Sequence, residues 1–312
     1  MNIVFFGSSQ FAVPCLQALL ISKHKITGVV TQPDRKKGRG LHVEGTPVKM
    51  LASEVGLQVY QPAKINTAEA AKLLKELKPD IFVIVAYGHI LSPEILSIPS
   101  IISINAHASL LPEFRGAAPI NWAIIKGKKK TGITIIQVNE LMDAGAIILQ
   151  EAMDIRESDT VVSMEGKLSM LAASLLIRAI DTIERKNFTL TLQDEAKVTS
   201  APKIEKQVGH INWEKSAQEI HCLIRGCFGW PGAFTYIRGT FLKIYGAEDI
   251  TLSGYQGTGK PGEIVEVSKD GIIVATGKGE LIIKEMQPGG KRIMKAAEFI
   301  AGHRLRVGNI FE

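Results

Sequence analysis

The strongest constraint on the fold is a set of short, almost wholly apolar runs. Asp80–Ala86 is such a run, and a strand of this kind has both faces covered, as in a parallel sheet. Asn2–Phe6 predicts another strand, which leads through Gly7–Gln10 into a helical pattern over Phe11–Leu20. A strand, a tight turn and a helix in this order are typical of a doubly wound α/β fold. We therefore predict a Rossmann-like domain with a mostly parallel sheet.

The stretch Ile101–Gly116 points to function. It begins with β-branched residues that predict a buried strand and then becomes polar. Asn105 and His107 are two residues apart, so in an extended segment their side chains point to the same side. Arg115 follows shortly afterwards. An amide, an imidazole and a guanidinium this close together, beyond a buried strand, indicate a functional site rather than packing.

A predicted hairpin supplies one further candidate. Ile133–Val138 and Ala146–Gln150 predict two strands that are joined by the turn Asn139–Gly145. This turn contains Asp143. An aspartate at a tight turn is most often a turn former and in a minority of cases catalytic, so the local sequence leaves both roles open.

Two helices carry capping signals at their first residues. Asn66–Lys78 is predicted to be a helix that Asn66 caps. Ser216–Cys227 is predicted to be a helix with a capping box formed by Ser216 and Glu219.

The second half of the chain has a different sequence pattern. A helical pattern over Thr160–Lys186 closes the first domain, and the polar segment after it predicts a linker. Short strands then alternate with glycine-rich turns, as in a small OB-like barrel. The predicted strands are Ala233–Arg238, Phe241–Ala247, Gly262–Val267, Gly271–Thr276 and Glu280–Met286. We predict a catalytic domain over residues 1–189, a linker over 190–207 and the barrel domain over 208–312.

Composition narrows the class of protein. The chain has 312 residues, of which 46% are hydrophobic and 22% charged, as in ordinary globular proteins. It has no apolar run long enough to span a membrane and no signal-peptide pattern at its start. Three cysteines do not suggest a disulfide framework, and they fit a reducing compartment. We therefore expect a cytoplasmic protein without a membrane partner, and we favour a monomer.

Positive charge lies toward the two ends of the chain, and the middle, over residues 151–200, is acidic. The formal net charge is +6, and the segment Arg35–Gly40 alone contains four basic residues and two glycines. No hydrophobic period runs through this segment, so it predicts a surface loop. A solvated turn is one interpretation. A phosphate-facing loop is at least as well supported, because flexible cations can follow a phosphate backbone.

Taken together, these motifs resemble those of the folate-dependent formyltransferases. The family pattern Asn-x-His-x-Ser-Leu-Leu-Pro is present over Asn105–Pro112, Arg115-Gly116 follows it, and Asp-x-Gly is present at Asp143–Gly145. The insertion Gln32–Gly40, followed by Pro47–Lys49, resembles the members that act on an aminoacylated tRNA. The resemblance covers the whole chain, since those members also have a linker and a C-terminal OB-like barrel.

The resemblance implies a reaction and its catalytic residues. A formyl group would move from 10-formyltetrahydrofolate, as co-substrate, to the α-amine of methionine on an initiator tRNA, and no metal is expected. Such a reaction needs donors for the developing oxyanion and a proton carrier. Asn105 would donate to the oxyanion, His107 would donate to the same oxygen or shuttle the proton, and Asp143 would hold the imidazole or relay a proton through water.

The resemblance also implies two sets of binding residues. Those expected on the folate side are Ser109, Leu110, Leu111, Pro112, Ile84, Val85, Tyr87 and Gly88. Those expected to contact tRNA phosphates are Arg35, Lys36, Lys37, Arg39, Lys203 and Lys206. Arg115 either orients the loop or contacts a phosphate or carboxylate.

Three other functions compete with this interpretation. Formyl transfer to a sugar amine or purine precursor is one, although a small acceptor would not need the basic segment Arg35–Gly40. A non-enzymatic RNA-binding protein is another, and the intact set of Asn105, His107 and Asp143 argues against it. A nucleotide-dependent dehydrogenase is disfavoured, because the turn after the first strand has a single glycine, Gly7, and no Gly-x-Gly-x-x-Gly fingerprint.

Overall fold

The computed structural model describes residues 1–37, 42–250, 259–303 and 305–312, with the backbone alone at 36, 37, 42 and 43. The chain forms two compact units. The first consists of Met1–Pro119, Lys130–Asp154 and Glu165–Pro202. The second consists of Ile120–Lys129, Ile155–Met164 and Lys203–Glu312.

The first unit is built on one mixed sheet. Its part of the chain contains the strands β1 (Asn2–Gly7), β2 (Lys25–Val30), β3 (Arg35–Lys37), β4 (His42–Glu44), β5 (Val59–Tyr60), β6 (Ile81–Val85), β7 (Ile102–His107), β8 (Lys130–Gln137) and β9 (Ile147–Asp154). The main sheet has the order β5-β2-β1-β6-β7-β8-β9. Its pairs from β5 to β7 are parallel, whereas β7-β8 and β8-β9 are antiparallel. The predicted Rossmann-like, mostly parallel sheet is confirmed.

The centre of this sheet is apolar on both faces, as the sequence predicts. Val4 and Phe6 of β1 pack with Phe82 and Ile84 of β6 and with Leu74 in one hydrophobic cluster. Burial of each such side chain contributes roughly 1.5–3 kcal/mol. The strand order reverses between β1 and β6. In doubly wound folds, ligands bind outside the carboxyl ends of the strands at such a reversal.

The helices up to residue 184 are α1 (Val13–Leu20), α2 (Pro47–Glu54), α3 (Ala68–Glu76), α4 (Pro93–Leu96), α5 (Pro119–Ile125) and α6 (Val161–Glu184). The predicted cap of α3 is wrong. Thr67 caps this helix, since its hydroxyl accepts a hydrogen bond from the N–H of Ala70. Asn66 instead donates to the carbonyl of Ile90 and accepts from the N–H of Ser92. The partners of Asn66 lie in a distant loop, which local spacing does not reveal.

The basic segment is more regular than the predicted surface loop. Strands β3 and β4 pair antiparallel, with Arg35 opposite Glu44. Three-residue strands are too short to show a periodic pattern, so they could not be predicted from the sequence. Residues 38–41, between the two strands, lie outside the described ranges.

The second unit is rich in antiparallel strands, as predicted. From Lys203 onward its α-helices and strands are α7 (Ala217–Gly226), β10 (Ala233–Ile237), β11 (Thr240–Asp249), β12 (Ile264–Ser268), β13 (Gly271–Ala275), β14 (Glu280–Pro288), β15 (Met294–Lys295) and α8 (Ala296–His303). The sheet order is β10-β11-β14-β13-β12, with β15 paired to β14. The capping box of α7 between Ser216 and Glu219 is confirmed.

The last residues of the second unit span the two edges of its sheet. Tyr236 of β10 and Glu312 exchange backbone hydrogen bonds of 3.3 and 2.8 Å. At the other edge, the N–H of Ile264 in β12 donates to the carbonyl of Asn309 at 2.8 Å. The described strands β10 and β12 do not pair directly, and this segment hydrogen-bonds to both of them.

Among the described residues, no helix combines the length and the apolar character that are needed to cross a bilayer.

Candidate active site

Strand β7 carries the first two site residues. Asn105 and His107 lie two residues apart within β7, so their side chains share one side of the strand. Both approach the same carboxylate oxygen, Oδ1 of Asp143: the Asn105 Nδ2 atom lies 3.4 Å from it and the His107 Nδ1 atom also 3.4 Å. The structure therefore brings these three side chains together.

The His107 ring is fixed on its other side as well. Its Nε2 atom lies 2.9 Å from the backbone carbonyl oxygen of Phe114. A carbonyl can only accept, so this hydrogen bond requires a proton on Nε2. The same contact turns Nδ1 toward Asp143. The His107 side chain is 6% exposed and that of Asp143 13%, so the pair is largely shielded from water.

Asp143 is held by its backbone and by its second carboxylate oxygen. Oδ2 accepts a hydrogen bond of 2.9 Å from the backbone N–H of Gly116. The backbone φ angle of Asp143 is +52°, in the left-handed region that non-glycine residues seldom adopt. The hairpin turn thus presents the carboxylate to β7 in a strained but well-bonded conformation.

Gln193 is a site residue that the sequence did not indicate. Its Nε2 atom donates to the carbonyl oxygens of both Asp143 and Gly145, each at 2.8 Å. Its Oε1 atom accepts from Nε of Arg115 at 3.0 Å. No local signal could have found it, because Gln193 lies 50 residues from Asp143 in a segment whose composition predicts a linker.

Arg115 contacts a carboxylate, one of the two roles that the sequence left open. Its guanidinium donates to both oxygens of Glu195, at 3.2 and 2.8 Å. The guanidinium hydrogen bond lowers the pKa of the Glu195 carboxyl below its ordinary value. Together with the bond to Gln193, this contact makes Arg115 an organiser of the site.

The segment predicted as a linker makes backbone hydrogen bonds to residues next to the site. Thr191 and Ile147 exchange two backbone hydrogen bonds, of 2.9 and 2.8 Å. Further along, the N–H of Arg115 donates to the carbonyl of Thr199, and the N–H of Ala201 donates to the carbonyl of Arg115. Residues 191–201 therefore hold the backbone on both sides of the site.

The residues expected on the folate side begin directly after β7. The hydroxyl of Thr134 donates to the carbonyl of Ser109 at 2.6 Å and accepts from the N–H of Leu111 at 3.1 Å. Ser109 and Leu111 are buried, whereas Leu110 and Pro112 are half-buried. The backbone of this turn is thus fixed, and its partly exposed side chains face outward.

The other expected folate residues lie at the carboxyl end of β6. Ile84 and Val85 are buried. The Tyr87 side chain is buried as well, and burial raises the pKa of its phenol to about 12. The carbonyl of Tyr87 accepts hydrogen bonds from Ser8 and Gln32, and Gly88 follows with a positive φ angle.

The expected tRNA contacts are described only in part. Arg35 is exposed. Lys36 and Lys37 are described by their backbone alone, and Arg39 lies outside the described residues. Lys203 and Lys206 are exposed and belong to the second unit.

One cluster away from these residues has the composition of a metal site. The ligand atoms of His24, Asp181 and Glu184 lie within 4.8 Å of one another. Lys23 lies 3.3 Å from the carboxylate of Asp181 and 2.5 Å from that of Glu184. This lysine already compensates the two carboxylates. The absence of a metal requirement stays a prediction.

Comparison with known proteins gives consistent matches along the chain. Residues 1–180 match the family described as formyl transferase, and residues 203–304 match the formyl transferase C-terminal domain. The methionyl-tRNA formyltransferase of Acetivibrio thermocellus is 41% identical over 310 residues, which are 99% of each chain. The enzyme of the same name from Alkaliphilus oremlandii is 42% identical over 310 residues, again 99% of each chain.

Among solved structures, an N-formyltransferase from Helicobacter canadensis, in complex with folinic acid and dTDP-3-aminofucose, superposes with a TM-score of 0.68. The match covers 90% of this chain and 98% of that one, at 21% identity. At this level of identity, the likeness shows a shared fold.

Proposed function

Since this chain belongs to the formyl transferase family and is a formyl-transferring enzyme, we propose that it formylates the methionine of initiator methionyl-tRNA. The formyl donor is 10-formyltetrahydrofolate. The full-length relatives named methionyl-tRNA formyltransferase support this acceptor. The observation that carries the proposal is the convergence of Asn105 and His107 on the carboxylate of Asp143.

The reaction makes three demands on the site. The α-amine of methionine attacks the formyl carbon as a free base and must lose a proton. The formyl oxygen gains negative charge in a tetrahedral intermediate, and N10 of the folate must gain a proton before it leaves. A site for this reaction therefore needs a neutral donor for the oxyanion and a group that carries a proton between two nitrogens.

The three side chains meet these demands. The Asn105 amide donates to the oxyanion without titrating, and removal of one such donor typically slows turnover by about 10²–10³-fold. Because Nε2 donates to Phe114, proton exchange at His107 runs through Nδ1, which accepts a proton in the neutral imidazole and donates one in the charged form. The same nitrogen can donate to the oxyanion or shuttle the proton. Asp143 orients the imidazole and stabilises its charged form, or relays the proton through water.

The substrates are assigned to two surfaces. We propose that the folate lies against the turn Ser109–Pro112 and the end of β6 at Ile84–Gly88, next to the reversal of strand order in the sheet. The turn after β7 has partly exposed side chains on a fixed backbone, which suits a ligand surface. At the end of β6 the side chains of Val85 and Tyr87 are buried, so we assign the contacts there to the backbone and Gly88.

The tRNA is held through its phosphates. We assign these contacts to Arg35, Lys36, Lys37, Arg39, Lys203 and Lys206. We keep the domain boundaries predicted from the sequence, with the catalytic domain over residues 1–189, the linker that carries Lys203 and Lys206 over 190–207, and the barrel over 208–312. A cytoplasmic monomer without a metal completes the proposal.

Acceptor competition tests the proposal. The protein is incubated with 10-formyltetrahydrofolate and, in separate reactions, methionyl initiator tRNA, an amino sugar nucleotide or an aminated purine precursor. Formylmethionyl-tRNA is the expected product, and it is detected as formylmethionine after chemical hydrolysis of the ester. Formylation of the sugar or purine precursor alone would overturn the tRNA acceptor, and no transfer to any acceptor would overturn the reaction itself.

A further inference from the structure

We infer that Gln193 is a positioning residue, which holds the Asp143 turn in the conformation that the reaction needs. The inference rests on the proposed function of Asp143. Gln193 donates to the carbonyls of Asp143 and Gly145 and accepts from Arg115, so its amide bridges the turn and the organiser of the site. These contacts use both its donor nitrogen and its acceptor oxygen.

The Asp143 turn needs such support. A non-glycine residue at a φ angle of +52° persists only where its surroundings hold it. The two carbonyls that Gln193 binds flank Ala144, and together they fix the direction of the backbone on both sides of this residue. Without the amide donor, the two carbonyls would lose their hydrogen-bond partner and the turn could relax toward a commoner conformation.

Gln193 is itself placed accurately. Thr191, two residues earlier, exchanges two backbone hydrogen bonds with Ile147, close to the end of the same turn. On the other side, Arg115 is fixed by its paired contact with Glu195. The backbone next to the side chain and the partner of its oxygen are therefore both fixed, and we infer that it acts on the reaction through the Asp143 turn.

Gln193→Glu is the informative substitution. It keeps the size of the side chain but replaces the donor nitrogen by an oxygen that would face two carbonyl oxygens. Because misplacement of a catalytic group by about 1 Å can cost about 10²-fold in rate, we expect kcat to fall by roughly that factor. KM for both substrates should stay within about twofold, since none of the proposed substrate contacts involves Gln193. Leu192→Ala is the matched control, as that side chain is 84% exposed.

A double-mutant cycle separates positioning from general stability. In an Asp143→Asn background, Gln193→Glu should cause no further loss of kcat, because the group through which it acts is already disabled. Full multiplication of the two losses would overturn the inference. Gln193→Met, which lacks the donor and carries no charge, gives the same test if the glutamate variant does not fold.

The outcomes also separate the inference from the proposed function. Normal turnover of Asp143→Asn would refute the role of Asp143 itself. Slow turnover of Asp143→Asn together with normal turnover of both Gln193 variants would refute the role of Gln193 alone.

Discussion

The turn that carries Asp143 leaves no room for a side chain at Gly145. A Cβ atom at this position would lie 1.6 Å from the carbonyl oxygen of Gln137 and 2.8 Å from its carbonyl carbon. The first contact is 1.4 Å short of the 3.0 Å below which real Cβ contacts essentially never occur. Both neighbouring atoms belong to the backbone of a paired strand, so the turn, rather than the strand, must move.

Gly145→Ala should therefore shift the backbone next to Asp143 by more than an ångström. Since a displacement of about 1 Å can cost about 10²-fold in rate, we expect kcat to fall at least that far. The assay is steady-state formylation of methionyl-tRNA, with circular dichroism and thermal melting to show that the variant is folded.

Gly166→Ala provides the matched control. Gly166 lies inside helix α6, and among the described residues no atom beyond its own stretch of helix lies within 4 Å of the added Cβ. Alanine there should keep full turnover and stabilise the protein by roughly 0.5–1 kcal/mol, because glycine is unfavourable in a helix interior. A folded Gly145→Ala protein with the turnover of Gly166→Ala would refute the geometric account of the turn.

Three further predictions concern stability and tRNA binding. Glu280 is 1% exposed, its oxygens lack hydrogen-bond partners among the described residues, and burial raises its pKa above the ordinary 4.5. Folding thus favours the protonated form of Glu280, and the stability that this form contributes is lost as the pH rises above 4.5. Glu280→Gln should therefore have a higher melting temperature than the unaltered protein near pH 7. The difference between the two melting temperatures should narrow toward about pH 4. Ser216→Ala removes the capping box with Glu219 and should lower the free energy of unfolding, measured in urea, by about 1 kcal/mol. Arg39→Ala should raise KM for the tRNA and reduce the salt slope of binding by about 0.7–0.9, whereas unchanged kinetics at every salt concentration would contradict a phosphate contact.

Much of the fold could be predicted because burial leaves a clear trace in sequence. The apolar runs Asn2–Phe6 and Asp80–Ala86 became the central strands β1 and β6. The capping box of α7 was equally clear, since its two residues lie three positions apart and bond to each other. The cap of α3 was not predictable, because Asn66 has partners in a distant loop.

The site residues also differ in whether the sequence could predict them. The shared direction of Asn105 and His107 followed from the period of a strand, whereas Asp143 was added through the resemblance and not through spacing. Gln193 stayed hidden, because its contacts join residues 50 positions apart and its neighbours in sequence are polar and typical of a linker. Hydrogen bonds between loops leave no periodic signal, so the sequence alone does not reveal them.

We assign formyl transfer to Asn105 and His107, grouped with Asp143. The single-turnover rate of formyl transfer to methionyl-tRNA, measured for Asn105→Ala and His107→Ala, tests this assignment. Asn187→Ala is the control, at an exposed asparagine of the first unit. Losses of about 10²-fold or more in both site variants, with an unchanged control and intact folding, are the predicted result. Site variants that are folded and as fast as the control would contradict the account.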